Sequence, residues 1–314
     1  MAGRIRAVID TDPGIDDGVA ILFAMASGAF DILGLTTVAG NIGIATTTRN
    51  AGRLLAAAGA ELPVVAGAER PLARPGIEET AIHGADGLGG VDFPEPLAPA
   101  AAGAVAWLAD TLRREPEGTV DLLMLGPMTN LALLLREAPE AARRLRRVIA
   151  MGGAIREPGN VGPRAEFNIA VDPEAAAEVL AAGLPLTLVP LDVTRRVRAT
   201  LEDCAALRAS GRPEAEGAAA LTEAYFQTTA AQSQVAESRP LHDPCVMLLA
   251  LAPALFACEA LALAVDCEAE PGALTARPEG PTVQVALEVE APAAVALLVH
   301  GLCGRPLPLP EAEA

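Results

Sequence analysis

A chain of 314 residues, 52% of them apolar, can bury the core of one large α/β domain or two smaller ones. Its formal charge of −17 argues against nucleic acid and anionic membrane as partners and favours neutral or cationic small ligands. It contains no lysine, and its abundant Ala, Gly, Pro and Arg read as compositional bias without functional content.

Strand-like apolar runs fall at 5–9, 32–38, 63–65, 121–125, 148–151 and 186–190. Helix-like runs fall between them, at 16–26, 46–58, 101–114, 130–136, 173–182 and 214–231. This alternation predicts a single domain over 1–314: a mostly parallel, open, Rossmann-like sheet with helices on both faces. No repeat or low-complexity linker divides the chain. The stretch 69–99 lacks periodicity and is rich in Gly and Pro, as functional or mobile loops are. Residues 246–267 approach transmembrane length, but Pro253 and Glu259 interrupt them; a buried helix followed by a strand at 261–265 is the better reading. Five scattered cysteines without a Cys-x-x-Cys suggest neither a disulfide framework nor a zinc site. Reduced thiols, and a strand that leaves no room for a signal peptide, point to a cytoplasmic protein.

The first strand runs into Asp10-Thr-Asp12-Pro-Gly-Ile-Asp16-Asp17, four carboxylates around a Pro-Gly turn. Such acids repel one another unless a cation sits among them, and a hard divalent ion with oxygen ligands is the economical answer. An acidic N-cap is the competing reading, but capping accounts for one acid or two, not for Asp10 and Asp12 as well. An EF-hand loop counted from Asp10 needs Gly and Glu where Ile15 and Ile21 stand. A phosphohydrolase built on Asp-x-Asp wants a cationic side chain at the phosphate, usually lysine, although Arg can clamp phosphate too.

Ligands of open α/β sheets bind beyond the carboxyl ends of the strands. Asn41, Thr129 with Asn130, Gly152-Gly153 with the polar loop to Asn168, and Asp192 all follow predicted strands. Any one of them alone reads as a turn or cap residue. Their convergence on one rim with the acid cluster reads as a site.

These segments resemble the inosine-uridine preferring nucleoside hydrolase family. The resemblance rests on the opening acid motif, Gly126-Pro-Met-Thr129-Asn, Gly159-Asn160, Ala165-Glu166-Phe167-Asn168, Asp172-Pro-Glu-Ala-Ala and Leu241-His242-Asp243-Pro244, spanning residues 8 to about 245 in the family's order. It implies Ca²⁺-dependent hydrolysis of the N-glycosidic bond of ribonucleosides. By matched position, Asp12, Asp17, Asp243 and the backbone carbonyl of Thr129 would hold the calcium, with water and the ribose diol completing its shell. Asp12 would also be the general base. Asp16, Asn41 and Asn168 match partners of the ribose hydroxyls, and Asn160 and Glu166 lie near the 5′-hydroxyl. Met151 would pack under the sugar, and Asp10 would orient the loop. The family's members are homodimers or homotetramers, which implies the same here.

The chemistry agrees. Breaking C1′–N leaves an oxocarbenium-like sugar that nearby carboxylates and amide oxygens stabilise. The departing base needs a proton, and imidazole is a suitable donor. Of the three histidines, His242 precedes the matched ligand Asp243 and is the candidate acid. His83, in His-Gly-Ala-Asp-Gly-Leu-Gly, matches a base-side position; a merely exposed loop histidine is the alternative. His300 and Cys245 are expected to stand outside the chemistry. Where relatives often carry an aromatic or long polar side chain before the late histidine, this chain has Ala230, with Gln232 or Gln234 as substitutes. A phosphohydrolase and a non-catalytic calcium- and ribose-binding protein are the alternatives to a hydrolase.

Overall fold

A computed structural model describes residues 3–230, 237–277 and 279–307. Its strands are β1 (Ile5–Thr11), β2 (Phe30–Thr37), β3 (Val64–Ala66), β4 (Ala101–Ala102), β5 (Asp121–Met124), β6 (Arg147–Met151), β7 (Leu186–Val189), β8 (Arg198–Thr200), β9 (Ser238–Pro240), β10 (Phe256–Val265), β11 (Leu274–Ala276) and β12 (Thr282–Val289). Ten of them form one sheet in the order β11-β10-β12-β7-β6-β5-β1-β2-β3-β4, and β8 with β9 forms a small antiparallel pair. The stretch from β12 to β4 is parallel throughout; β10 and β11 add an antiparallel edge.

The parallel strands read as continuous apolar runs because both faces are covered. Along β1, Ala7 and Ile9 enter one core layer while Val8 enters the other. Leu123 and Leu122 of β5 divide in the same way, as do Ile149 and Val148 of β6. The helices Ile15–Ala26, Pro244–Leu251 and Ala291–Leu302 cover the first face; Ala104–Arg114, Thr129–Glu137 and Pro173–Ala181 cover the second. Gly18 lets the helix Pro213–Ala230 lie close against Ile15–Ala26, since a Cβ there would stand 2.6 Å from Leu221 Cδ1.

All six predicted strands form, within two residues of their expected ends. The helix expected at 101–114 starts three residues late. Gly103 takes φ +89°, which separates the bridge Ala101–Ala102 from the helix Ala104–Arg114. The apolar stretch from 246 is the buried helix Pro244–Leu251 followed by β10, which is longer than the strand expected at 261–265. Among the described residues no helix is long and apolar enough to cross a membrane.

Strand order turns back at β1: β2 to β4 lie on one side of it and β5 to β7 on the other. The loops leaving β1 and β5 therefore diverge and open a crevice at their carboxyl ends, where such sheets bind ligands.

Candidate active site

The acid loop is built by backbone and side-chain donors. Asp17 Oδ1 accepts from Thr11 Oγ1 at 2.6 Å and from Asp12 N–H at 3.3 Å. Its Oδ2 accepts from Gly14 N–H at 2.9 Å and from Asn41 Nδ2 at 3.1 Å. Asp17 thus also closes the N-terminus of the helix Ile15–Ala26, so the capping reading holds for this one acid. Asp12 Oδ2 accepts from Asn41 N–H at 2.7 Å, and its Oδ1 is buried without a protein partner among the described residues. Two glycines press on that carboxylate. A Cβ at Gly40 would stand 2.1 Å from Asp12 Oδ2, and one at Gly126 would stand 2.3 Å from Oδ1. The loops after β2 and β5 therefore need glycine to approach the loop after β1. Asp10 accepts from Thr36 Oγ1 at 2.5 Å and Asn130 Nδ2 at 2.8 Å, tying the end of β1 to β2 and to the helix after β5.

Asp16, Asp17 and Asp243 are all buried and offer carboxylate oxygens within 4.8 Å of one another. Burial raises the Asp12 carboxyl well above the ordinary range, and the neighbouring charges of Asp17 and Asp16 raise it further. Asp243 is raised in the same way, by burial first and then by Asp16, Asp17 and Asp12. Asp17 is raised by burial and by Asp16, and burial lifts Asp10 to about 6. Charged together, these groups lack a counter-charge. An oxygen-only donor set with an orphaned buried carboxylate oxygen fits a hard divalent cation. Thr129 spends its hydroxyl on Asp172 Oδ2 at 2.7 Å, so its backbone carbonyl is what it has left to offer a metal.

One cavity gathers nine of the residues expected at the site: Asp16, Asn41, His83, Met151, Asn160, Glu166, Asn168, His242 and Asp243. Asp10, Asp12, Asp17 and Thr129 are buried and lie off its surface. Both oxygens of Glu166 are engaged by backbone N–H groups: Oε1 by Asn168, Oε2 by Gly153 and Ile169. Burial nonetheless raises this carboxyl. Asn168 Nδ2 donates to Leu125 O at 2.6 Å, joining the loops after β5 and β6. Asn160 Oδ1 accepts from Phe167 N–H at 2.9 Å. His242 Nδ1 meets Thr194 Oγ1 at 2.7 Å, and burial pushes its ring below the ordinary imidazole range. His83 Nδ1 accepts from Ile15 N–H at 3.0 Å. It sits on the short helix Thr80–His83 within the long segment 69–99, which is anchored here by Glu79 N–H donating to Asn41 O.

Asp192 belongs to scaffolding. It accepts from the N–H groups of Ile155 and Arg156 and pins the loop after β6. Asn130 is scaffolding too: its Nδ2 donates to Asp10 Oδ2 and its Oδ1 accepts from Ala68 N–H. His300 lies away from the cavity, and Cys245 is a buried core residue. Gln232 and Gln234 lie outside the described residues. Sequence reasoning missed Thr194, Tyr225 and Phe167. The last two bring aromatic rings to the cavity wall in a chain poor in aromatics. Arg239 stacks its guanidinium 5.3 Å from the Phe226 ring and 6.0 Å from that of Tyr225. No local pattern marks Tyr225; only its helix's packing turns it toward the site.

The sequence model of the inosine-uridine preferring nucleoside hydrolases matches residues 7–296. The chain is 40% identical over 273 residues to the non-specific ribonucleoside hydrolase RihC of Shigella boydii, covering 85% of this chain and 86% of that one. It is 41% identical over 254 residues to the pyrimidine-specific ribonucleoside hydrolase RihA of Citrobacter koseri, covering 80% and 81%. Its fold superposes on a purine-preferring ribonucleoside hydrolase from Gardnerella vaginalis with a TM-score of 0.90 at 28% identity, over 95% of this chain and 98% of that one. A crevice at the strand-order reversal, its buried acids and this match over nearly the whole length lead to one conclusion: the chain belongs to the inosine-uridine preferring nucleoside hydrolase family.

Proposed function

We propose that the protein hydrolyses the N-glycosidic bond of ribonucleosides in a calcium-dependent reaction, giving ribose and the free base. The observation that carries this is one cavity that joins a carboxylate cluster suited to a hard cation with asparagine side chains and two histidines. Asp12, Asp17, Asp243 and the Thr129 carbonyl would hold the calcium, with Asp16 beside them. A calcium ion so placed supplies Lewis acidity toward water and a template for the ribose diol.

This chain's residues do the rest. Asp12 takes the proton of the attacking water through its orphaned Oδ1. Asn41, Asp16 and Asn168 hold the ribose hydroxyls, Asn160 and Glu166 face the 5′-hydroxyl, and Met151 packs under the ring. As C1′–N breaks, the negative field of the clustered carboxylates stabilises the cationic sugar. His242 donates the proton that the departing base requires. We further propose a cytoplasmic homodimer or homotetramer, which light scattering of the purified protein tests.

No Arg or Lys lines the cavity among the described residues, so the site lacks the cation that a phosphohydrolase would place on its phosphate. Incubation with a panel of ribonucleosides and with a phosphomonoester discriminates the readings. Free ribose without phosphate is the expected result. Phosphate alone overturns the proposal, and tight ribonucleoside binding without turnover favours a non-catalytic calcium- and ribose-binding protein.

A further inference from the structure

The loop after β6 brings Asn160 to the cavity over a stretch with little packing to hold it. No side chain from 156 to 164 is buried, so apolar contacts do not fix its place. Its ion pairs Arg156–Glu259 and Arg164–Glu270 lie at the surface, where such pairs contribute little. The short helix after β7 supplies the hold. Asp192 takes the N–H groups of Ile155 and Arg156. Arg195, at the end of the same helix, takes the carbonyls that follow: Nη1 donates to Pro158 O at 2.7 Å and Nη2 to Gly159 O at 3.0 Å. A planar guanidinium sets two donors at one fixed spacing, and its charge strengthens both bonds. Its contact with Glu157 Oε2, at 3.4 Å, is long and near the surface.

The clamped carbonyls stand directly before Asn160. From there the loop moves as one piece. Gly159 N–H donates to Pro163 O at 2.9 Å and Asn160 N–H to Ala165 O at 3.0 Å. Asn160 Oδ1 accepts from Phe167 N–H at 2.9 Å, and a peptide N–H only donates, so the amide cannot turn over. Its Nδ2 has no protein partner among the described residues and is left as a donor for the cavity. We infer that Arg195 is a positioning residue for sugar recognition: its fork on the Pro158 and Gly159 carbonyls sets where Asn160 Nδ2–H meets the ribose 5′-hydroxyl. The inference rests on the ribonucleoside-hydrolase reading above. Arg195 does not line the cavity, so it acts through the loop. It also stands beside Thr194, which holds His242, and action through that ring is the rival reading.

The 5′-hydroxyl separates the two. Calcium-loaded wild type, Arg195→Met and Arg195→Lys are compared on uridine with 5′-deoxyuridine and on inosine with 5′-deoxyinosine. Arg195→Met keeps the apolar stem and removes every donor. It is expected to lower kcat/KM for the ribonucleosides by about ten-fold, as for one lost hydrogen bond to a charged group. It is expected to leave the 5′-deoxy substrates at their wild-type values. Arg195→Lys, which keeps the charge without the fork, is expected to fall between. Hydrogen exchange of the amides at 159–161 is expected to quicken in Arg195→Met while that of β1 stays as in wild type. Equal losses on both members of a pair overturn the inference, because an effect through His242 or on the whole fold would strike both. Unchanged kcat/KM in both variants overturns it, as does unchanged exchange at 159–161. If Arg195→Met does not fold, Arg195→Lys carries the same comparisons. A wild type that treats each pair alike overturns the inference and leaves the hydrolase reading standing. A wild type that hydrolyses none of the four substrates overturns that reading and the inference with it.

Discussion

Thr194 Oγ1 lies 2.7 Å from His242 Nδ1 and joins the short helix after β7 to the loop that carries Asp243. The contact holds the ring with a hydroxyl that can donate to a bare Nδ1 or accept from a protonated one.

His242 is proposed as the donor to the leaving base, and the leaving group tests it. His242→Ala is expected to lower kcat for natural ribonucleosides by roughly 10²–10⁴-fold. p-Nitrophenyl riboside leaves without a proton and should lose far less, whereas Asp12→Ala should damage both substrates. Equal losses on the two substrates in His242→Ala would mean that the residue binds sugar or shapes the site.

The metal content of purified protein follows the acid cluster. Asp17→Ala is expected to lose calcium, activity and stability together, because its carboxylate also receives Thr11, Gly14 and Asn41. Asp243→Asn and Asp12→Asn should lose calcium with smaller changes in melting temperature. Full metal retention in all three proteins, read by elemental analysis, would reject the assignment.

Burial holds Asp10 at about 6 and keeps Asp12 and Asp243 above the ordinary carboxylate range. Without metal, the folded chain therefore keeps protons that the unfolded chain has released. Unfolding then gives up protons, so metal-free stability falls as pH rises from about 4 through about 6 and beyond. Calcium needs those groups ionised, so its stabilisation should grow over the same range. It should reach about 3 kcal/mol at a hundred-fold excess over Kd. Melting curves with chelator and with calcium, at about pH 5 and about pH 8, check both slopes. A calcium increment that does not change with pH would contradict the assignment of these acids.

The ribose diol offers a sharper test. If it completes the metal shell, removing the 2′-hydroxyl loses a metal bond and leaves buried groups unpaired. Sites built around a hydroxyl reject the analogue by about 10⁴-fold or more. For deoxyribonucleosides that lack the 2′-hydroxyl, kcat/KM is expected to fall on that scale. Near-parity with ribonucleosides would show that the metal does not hold the diol.

Gly126 is predicted to be irreplaceable for a reason of space. Its added Cβ would stand 2.3 Å from Asp12 Oδ1, so Gly126→Ala must displace either the loop or the carboxylate. A loss of about 1–3 kcal/mol of stability is expected, with a collapse of kcat. Gly43→Ala serves as the control, since the nearest atom to its Cβ would be 3.7 Å away. Similar kcat values for the two variants would show that Asp12 does not need its present position.

What the amino-acid order determined by itself was local or periodic. Both-face burial makes the parallel strands continuous apolar runs, so β1, β5 and β6 are legible without coordinates. The four acids around Pro13-Gly14 announce a cation because their mutual repulsion is a property of eight consecutive residues. The motifs from Asp12 to Asp243 were enough to expect the family and most of the cavity wall. Tertiary structure decided the rest, because it depends on groups brought together across long separations. Ile15 N–H meets His83 Nδ1 from 68 positions away, and Thr194 meets His242 from 48. Asn41 braces both Asp12 and Asp17 where β2 ends beside β1. Tyr225 reaches the cavity because a glycine at position 18 lets two helices close on each other. Asp192, which shares its place on the rim with true cavity residues, is spent on backbone N–H groups of a neighbouring loop. A side chain's type limits what it can do; which of its atoms are left free to do it is set by the partners that folding delivers.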